Sequence, residues 1–186
     1  WTDDELAAFE ARWPTGTRER TIYALLLCTG QRVSDVAKMS WRDIEDGAIH
    51  VHQGKTGEKL WIPMHHDLVA ALRAWKRAHV AIITTAYGRP FSAHGLGNEV
   101  ARCIGLAGLP ERCVAHGLRK AAARRLAEAG CSAKEIAAIT GHKTLKEVER
   151  YTAAADQKTL ARAAMEKLKG RTDNPKPERW VGNGRE

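Results

Sequence analysis

Apolar residues recur at every third or fourth position through most of the chain, the spacing of one face of an α-helix. The residues between them are mainly polar or charged, so each segment has one face suited to a core and one suited to water. The pattern predicts helices over residues 3–12, 17–28, 66–80, 92–106 and 156–169.

A further stretch, residues 116–151, is predicted to form three short helices joined by tight turns. Ser132 and Thr144 are each followed three residues later by a glutamate, the capping-box spacing that begins a helix. Gly130 and Gly141 stand where a glycine typically ends the preceding helix. The chain is therefore predicted to be mainly α-helical.

Residues 44–63 change to an alternation of period two, which is typical of β-strands. Ile49 and Val51 alternate with His50 and His52, and a second alternating run follows a turn rich in glycine and lysine. The pattern predicts an antiparallel hairpin, and hence an α+β fold: mainly α with a small antiparallel β-sheet. The two histidines point the same way, but no third residue stands at a metal-ligand spacing, so we predict no metal site.

Length and composition fit a single basic domain of 186 residues. Lys and Arg number 30 against 22 Asp and Glu, and the net charge of +8 favours a polyanionic partner. The sequence shows no signal peptide, no apolar run near the roughly 18 residues of a membrane span, and no C-x-x-C pair. These features indicate a cytoplasmic protein without a membrane partner, whose cysteines are reduced. The cysteines are Cys28, Cys103, Cys113 and Cys131.

Residues 171–186 are rich in proline, glycine and charge, and we predict an extended tail there. Trp180 is its one large aromatic side chain. It suits a peptide anchor that docks on a neighbouring subunit, or a disordered tail, and the sequence leaves both open. The chain begins at Trp1 rather than Met, so we expect a fragment of a longer protein.

Four residues between 116 and 151 carry side chains suited to phosphate chemistry. A tyrosine hydroxyl, with a pKa of about 10, is a nucleophile only when another group takes its proton, as at Tyr151. The guanidinium of Arg119 can grip two phosphate oxygens and stays charged. His116 and His142 can relay protons or donate to an oxygen near neutral pH. Each residue alone is ordinary packing or surface polarity, and only the combination indicates chemistry.

The motifs that contain these residues, with two more upstream, resemble the tyrosine recombinases of the phage integrase family. The matches are T-G-Q-R at residues 29–32, G-K-T-G-E-K in the hairpin turn, H-G-L-R at 116–119, G-H at 141–142, and a tyrosine nine residues later. The resemblance implies an integrase-like tyrosine recombinase catalytic core over residues 1–170, followed by the tail 171–186. We expect the N-terminal core-binding domain that is usual in the family to be absent from this chain.

The resemblance also implies a role for each residue. Tyr151 would attack the scissile phosphate, form a 3′-phosphotyrosine link and release a 5′-hydroxyl. His116 would accept the tyrosine proton, and Lys55 would protonate the leaving oxygen, with Lys59 as the second candidate for that acid.

Other matched residues are implied to hold the phosphate. Arg32, Arg119 and His142 would bind its non-bridging oxygens, and Asp35 would brace the site. Two guanidiniums can offset charge as a Mg²⁺ ion does elsewhere, so the resemblance implies no metal and no cofactor.

The implied partner is double-stranded DNA at a specific recombination site, with self-assembly into a tetramer on DNA and a possible exchange of the C-terminal tail between subunits. The implied activity is site-specific DNA recombination or integration, as in a phage or mobile element. Three alternatives stay open: a type IB topoisomerase-like DNA strand transferase, a basic helical DNA-binding module without activity, and a structural fragment. The first typically has lysine in place of His116.

Overall fold

The computed structural model is mainly helical with one small antiparallel sheet, so the predicted fold class is confirmed. It describes residues 1–144, 146, 148, 149 and 157–169. The helices are α1 (Asp3–Arg12), α2 (Arg18–Thr29), α3 (Val33–Val36), α4 (His66–Ala74), α5 (Ala93–Leu106), α6 (Ala115–Glu128), α7 (Ala133–Thr140) and α8 (Gln157–Lys169), and residues Trp41–Asp43 form a 3₁₀ turn. The strands are β1 (Ile44–Glu45), β2 (Ala48–His52) and β3 (Lys59–Pro63).

The sheet contains the predicted hairpin of β2 and β3, with the short strand β1 added at one edge. Ile49 pairs with Ile62 across the hairpin, and both side chains are buried. His50 and His52 lie on the exposed face, as the alternation predicts. The sequence pattern thus identified which side of the hairpin faces the core.

Helix α2 forms the centre of the core and packs against α4 and α6. It is apolar around most of its circumference and fully buries Ile22, Leu25 and Leu26, as expected for a helix enclosed by others. Because α2 is fixed on several sides, the loop that follows it is held in one place. That loop carries the first of the candidate site residues.

Helix α4 is shorter than predicted: it ends at Ala74 rather than at residue 80. The Trp75 indole donates a hydrogen bond to the Ile82 carbonyl at 2.8 Å, and the Ile82 amide donates to the Met39 carbonyl at 3.0 Å. These tertiary hydrogen bonds draw the chain after Ala74 into an extended path. The apolar periodicity of this segment could not reveal them.

A capping box formed by Thr2 and Glu5 begins α1, and its glutamate links α1 to the loop before α6. Glu5 accepts a hydrogen bond from the Thr2 amide at 2.8 Å and forms an ion pair with Arg112. The Thr2 bond, more than the Arg112 guanidinium, lowers the pKa of Glu5 to about 2. The ionised carboxylate therefore favours the folded state.

We expect the Glu5→Gln variant to lose less stability than the unsubstituted chain when the pH is lowered. The pKa of Glu5 is lower in the folded chain than its ordinary 4.5, so its contribution is complete above about pH 4.5 and is lost as the pH falls towards 2. Thermal melts between pH 2 and 7 would show a smaller decrease of Tm in the variant. Asp4→Asn, on the exposed side of the same helix, is the control. Identical curves for Glu5→Gln and the unsubstituted chain would contradict the assignment.

The cysteines are unpaired in the fold. Burial raises the pKa of Cys28 and of Cys103 to about 12, so these two thiols stay protonated at neutral pH. Among the described residues, no helix combines the length and the apolar character needed to cross a bilayer.

Candidate active site

The loop after α2 places Arg32 at the surface of the core. Gly30 ends α2 in the left-handed conformation, with φ of 62°, and turns the chain towards α3. Arg32 is the residue that precedes α3, and its side chain is 22% exposed. Its Nη1 atom donates to Oε1 of Gln53 at 3.3 Å. The guanidinium is thus anchored on one side and open to solvent on the other.

Asp35 connects the arginine loop to the hairpin turn that contains Lys55. Its buried carboxylate accepts a hydrogen bond from the Gly54 amide at 2.9 Å through Oδ1. Its Oδ2 lies 3.8 Å from Nη1 of Arg32. A single acid therefore holds two segments that lie some twenty positions apart in the chain.

Arg119 lies at the start of α6 and is almost completely buried, at 2% exposed. Its Nη1 atom donates to the Gly30 carbonyl at 2.7 Å and to the Thr140 carbonyl at 2.5 Å. These carbonyls lie at the C-terminal ends of α2 and α7, where backbone acceptors have no helical partner and a positive charge is favourable. Arg119 thereby joins the ends of three helices.

His142 follows Gly141, which ends α7 with φ of 69°, as predicted. Its Nδ1 lies 2.6 Å from Oγ1 of Thr140, and that hydroxyl donates its one proton to the Ile136 carbonyl at 2.7 Å. Nδ1 of His142 must therefore be the donor in this contact. In the neutral ring Nε2 is then an acceptor, so His142 can donate from Nε2 to a phosphate oxygen as the imidazolium.

His116 lies in the first turn of α6 and is exposed. Partial burial, followed by the charges of Lys120, Arg119, Arg32 and Lys55, lowers the pKa of His116 below its ordinary 6.5. Cations from three separate segments therefore act on the pKa of this imidazole, in addition to its burial. Both effects favour the neutral ring, the form that can accept a proton.

Lys55 occupies the exposed turn between β2 and β3. The turn is closed by two backbone hydrogen bonds, from Gln53 to the Glu58 carbonyl and from Gly57 to the Gln53 carbonyl, each of 2.9 Å. Lys59 instead belongs to β3, where it pairs with His52. Lys55 thus lies outside the sheet, whereas the backbone of Lys59 is held by it.

Gln53 is a member of this site that our sequence analysis missed. Its side chain is completely buried beneath Arg32 and bonds to Gln31 and to the Thr140 carbonyl. The period-two pattern contained the signal, because Gln53 follows Ile49 and Val51 on the core face of the strand. A buried amide at such a position requires several polar partners.

The predicted nucleophile, Tyr151, and the predicted tail anchor, Trp180, lie outside the described residues. Of the helix start predicted at residues 144–147, only Thr144 and Lys146 are described. The nearest described core residue is Val148, which is buried against Ala127 and Ile136. The chain that follows His142 is therefore anchored on α6 and α7 at this point.

Two groups of side chains in the described part of the chain could hold a metal ion, and neither includes a predicted site residue. One comprises His65, His66 and Asp67, all exposed, and the other comprises Glu19, Glu99 and Cys103. The carboxylates of the second group already bind Arg18 and Arg102.

A family model described as the phage integrase family matches residues 4–158. The chain is 26% identical over 145 residues to tyrosine recombinase XerC of Xanthomonas campestris pv. campestris, covering 75% of this chain and 45% of the relative. It is 30% identical over 162 residues to tyrosine recombinase XerC 2 of Ralstonia nicotianae, covering 79% and 46%. The chain thus spans about half the length of these curated relatives.

Solved structures with the same fold include a lambda integrase catalytic core, at a TM-score of 0.63 and 31% identity, with coverage of 76% of this chain and 90% of that one. Lambda integrase residues 75–356 bound to DNA match at a TM-score of 0.69 and 28% identity, covering 84% and 61%. XerA recombinase, at a TM-score of 0.71 and 19% identity over 92% and 65%, supports the fold.

Proposed function

The chain belongs to the phage integrase family, and on that premise we propose that it cuts and rejoins double-stranded DNA at specific sites through a 3′-phosphotyrosine intermediate. The observation that carries this proposal is the grouping of cations around His116. Arg32, Arg119 and Lys55 come from three distant segments, and all of them act on the pKa of that imidazole. A phosphodiester is the group that such a site suits best.

Binding of the scissile phosphate falls to Arg32, Arg119 and His142. A guanidinium bonds to phosphate through directed, charge-assisted hydrogen bonds and cannot lose its proton at physiological pH. The extra negative charge that forms during attack is offset by these cations. The two arginines need little rearrangement, because Asp35 and Gln53 already hold Arg32 and the helix ends hold Arg119.

Two proton transfers accompany the attack. The Tyr151 oxygen bonds to phosphorus while the bond from phosphorus to the 5′ oxygen breaks, and His116 takes the tyrosine proton. Lys55 gives a proton to the departing 5′ oxygen, which leaves as a hydroxyl. A 5′-hydroxyl from a second strand then reverses these steps. Each phosphodiester replaces another, so the exchange requires no ATP.

The catalytic unit in this proposal covers residues 1–170, and it assembles as a tetramer on double-stranded DNA. Structures of lambda integrase as a dimer on a core site and as a tetramer on a Holliday junction support this assembly. We further propose that the tail exchanges between subunits and that Trp180 docks in a neighbour's cavity. A cavity of about 450 Å³ has a suitable apolar lining that includes Leu27, Ile62, Met64, Leu126 and Ile139.

Covalent capture tests the proposal. The chain is incubated, with EDTA present, with duplexes that tile the genomic DNA around its gene, each nicked so that a released 5′-hydroxyl fragment diffuses away. We expect one or a few duplexes to give a protein–DNA band on a denaturing gel, joined to the 3′ phosphate. The EDTA shows that no divalent ion takes part.

Two other outcomes would overturn the proposal. Salt-sensitive binding to DNA without any covalent band would favour a binding module. Relaxation of supercoiled plasmid, without any transfer between duplexes, would favour an activity like that of a type IB topoisomerase.

The pKa of His116 lies under 6.5. We expect the cleavage rate to decrease when the pH is below this pKa and to be independent of pH just above it. Protonation removes the lone pair that accepts the tyrosine proton, so the loss appears on the acid side. Single-turnover rates between pH 5 and 8 measure this acid limb of the pH–rate profile. The His116→Asn variant should cleave more slowly, and its rate should not show the acid limb. The matched control is His94→Asn, an exposed histidine on α5. An acid limb that persists unchanged in His116→Asn would assign the base to another residue.

A further inference from the structure

The side-chain amide of Gln53 uses its full capacity for hydrogen bonds inside the core. Nε2 donates to Oε1 of Gln31 at 2.6 Å and to the Thr140 carbonyl at 2.8 Å. Oε1 accepts from Arg32 at 3.3 Å and from the Thr56 hydroxyl at 2.5 Å. A primary amide has two N–H donors and two lone pairs, so Gln53 has one partner for each.

The orientation of this amide is determined by its neighbour. Nε2 of Gln31 donates to the carbonyls of Thr29 and Ile139, each at 2.9 Å. Turning the Gln31 amide over would place its oxygen against two carbonyl oxygens, so its Oε1 must face Gln53. Gln53 therefore presents its nitrogen to Gln31 and its oxygen to Arg32.

A single carbonyl connects Gln53 to the second arginine. The Thr140 oxygen accepts from Nε2 of Gln53 and also from Nη1 of Arg119, at 2.5 Å. Arg32 and Arg119 are thus joined through one amide and one carbonyl. The Thr140 hydroxyl also contacts His142. Three of the phosphate-binding candidates consequently share one rigid support.

The backbone leaves room for this support at Gly141. A Cβ atom at that position would lie 2.5 Å from Nε2 of Gln53, closer than real contacts allow. Gly141 also has φ of 69°, a conformation that favours glycine. The close approach indicates that the turn after α7 packs directly against the buried amide.

We propose that Gln53 is a positioning residue for strand cleavage, which aims the Arg32 guanidinium at the scissile phosphate; this inference rests on the function proposed above. A neutral oxygen suits the task better than a carboxylate would. It fixes Nη1 by a hydrogen bond but leaves the positive charge of Arg32 available for the phosphate. A glutamate at this position would keep the acceptor, lose both donors and neutralise the arginine.

The test compares Gln53→Ala and Gln53→Glu with Val51→Ala. Val51 lies on the core face of β2, two residues before Gln53, so its truncation reproduces a loss of packing without removing the amide. The substrate is a nicked duplex that forms the covalent complex with the unsubstituted chain. We expect the single-turnover cleavage rates of both Gln53 variants on it to be about 10- to 100-fold lower. We expect their DNA affinity to stay within about threefold, and Val51→Ala to stay within about threefold in both quantities. Circular dichroism selects a temperature at which every variant is folded.

A double-mutant cycle shows whether Gln53 acts through Arg32. In an Arg32→Ala background, we expect Gln53→Ala to slow cleavage by less than about threefold, because the group that it positions is gone. Equal rates for Gln53→Ala and Val51→Ala, or a full penalty that persists without Arg32, would overturn the positioning role alone. An unsubstituted chain that forms no covalent product on any duplex would overturn the proposed function and this inference together.

Discussion

Tyr151→Phe is expected to form no covalent complex with any nicked duplex that captures the unsubstituted chain. Phenylalanine keeps the ring but removes the oxygen that the proposed mechanism bonds to phosphorus, so the cleavage rate should fall by at least about 10³-fold. Affinity for the same duplex should change by less than about threefold, because the cations proposed to bind the phosphate remain. Denaturing gels measure the first quantity, and gel-shift titrations measure the second.

The control for this substitution is Tyr87→Phe, which removes the same atom from a loop side chain that is 91% exposed. It should cleave at the rate of the unsubstituted chain. A Tyr151→Phe chain that still forms the covalent band would place the nucleophile on another residue. That result would also mean that the spacing of nine residues between His142 and Tyr151 does not support the proposed mechanism.

Arg119→Met is expected to damage both stability and cleavage. The substitution leaves the Gly30 and Thr140 carbonyls without the charge-assisted hydrogen bonds that Arg119 donates. Leaving a buried acceptor without its donor typically lowers the free energy of unfolding by about 1–3 kcal/mol. Cleavage should fall by about 10²–10³-fold, the usual effect of removing one donor that stabilises a charged transition state. Urea unfolding and single-turnover rates measure the two effects.

Two companion variants separate the effects. Arg125→Met removes an exposed arginine from the same helix and should leave both quantities nearly unchanged. Arg119→Lys keeps the charge but not the planar fork, so it should recover part of the stability and little of the cleavage rate. Full activity in a folded Arg119→Lys chain would contradict a directed role for the guanidinium.

The boundaries of several helices could be predicted because they depend on local chemistry. Thr2 and Ser132 begin α1 and α7 as capping boxes, and Gly30 and Gly141 end α2 and α7 in the left-handed conformation. Each signal requires only a side chain and the backbone of the nearest turn. Such interactions are complete within four residues, so the sequence displays them directly.

The end of α4 could not be predicted, because it depends on distant residues. Trp75 fits the apolar face of a longer helix, but its indole bonds to the Ile82 carbonyl, and Ile82 in turn bonds to Met39. Hydrogen bonds with a distant segment outweighed the modest helical preference of residues 75–80. The apolar periodicity of a segment indicates which of its faces is buried. It does not identify the residues that the segment contacts.

The sequence by itself determined which charged groups and which candidate nucleophile this protein carries, since their motifs appear in order along the chain. It also determined the mainly helical fold. Only the tertiary structure decided how those groups are held. The pKa of His116 is lowered by partial burial and by cations from three segments, and Arg119 bonds to the ends of two other helices. The Gln53 amide has partners 21, 22 and 87 positions away. Electrostatic fields and buried hydrogen bonds depend on distances in space, which the order of residues alone does not specify.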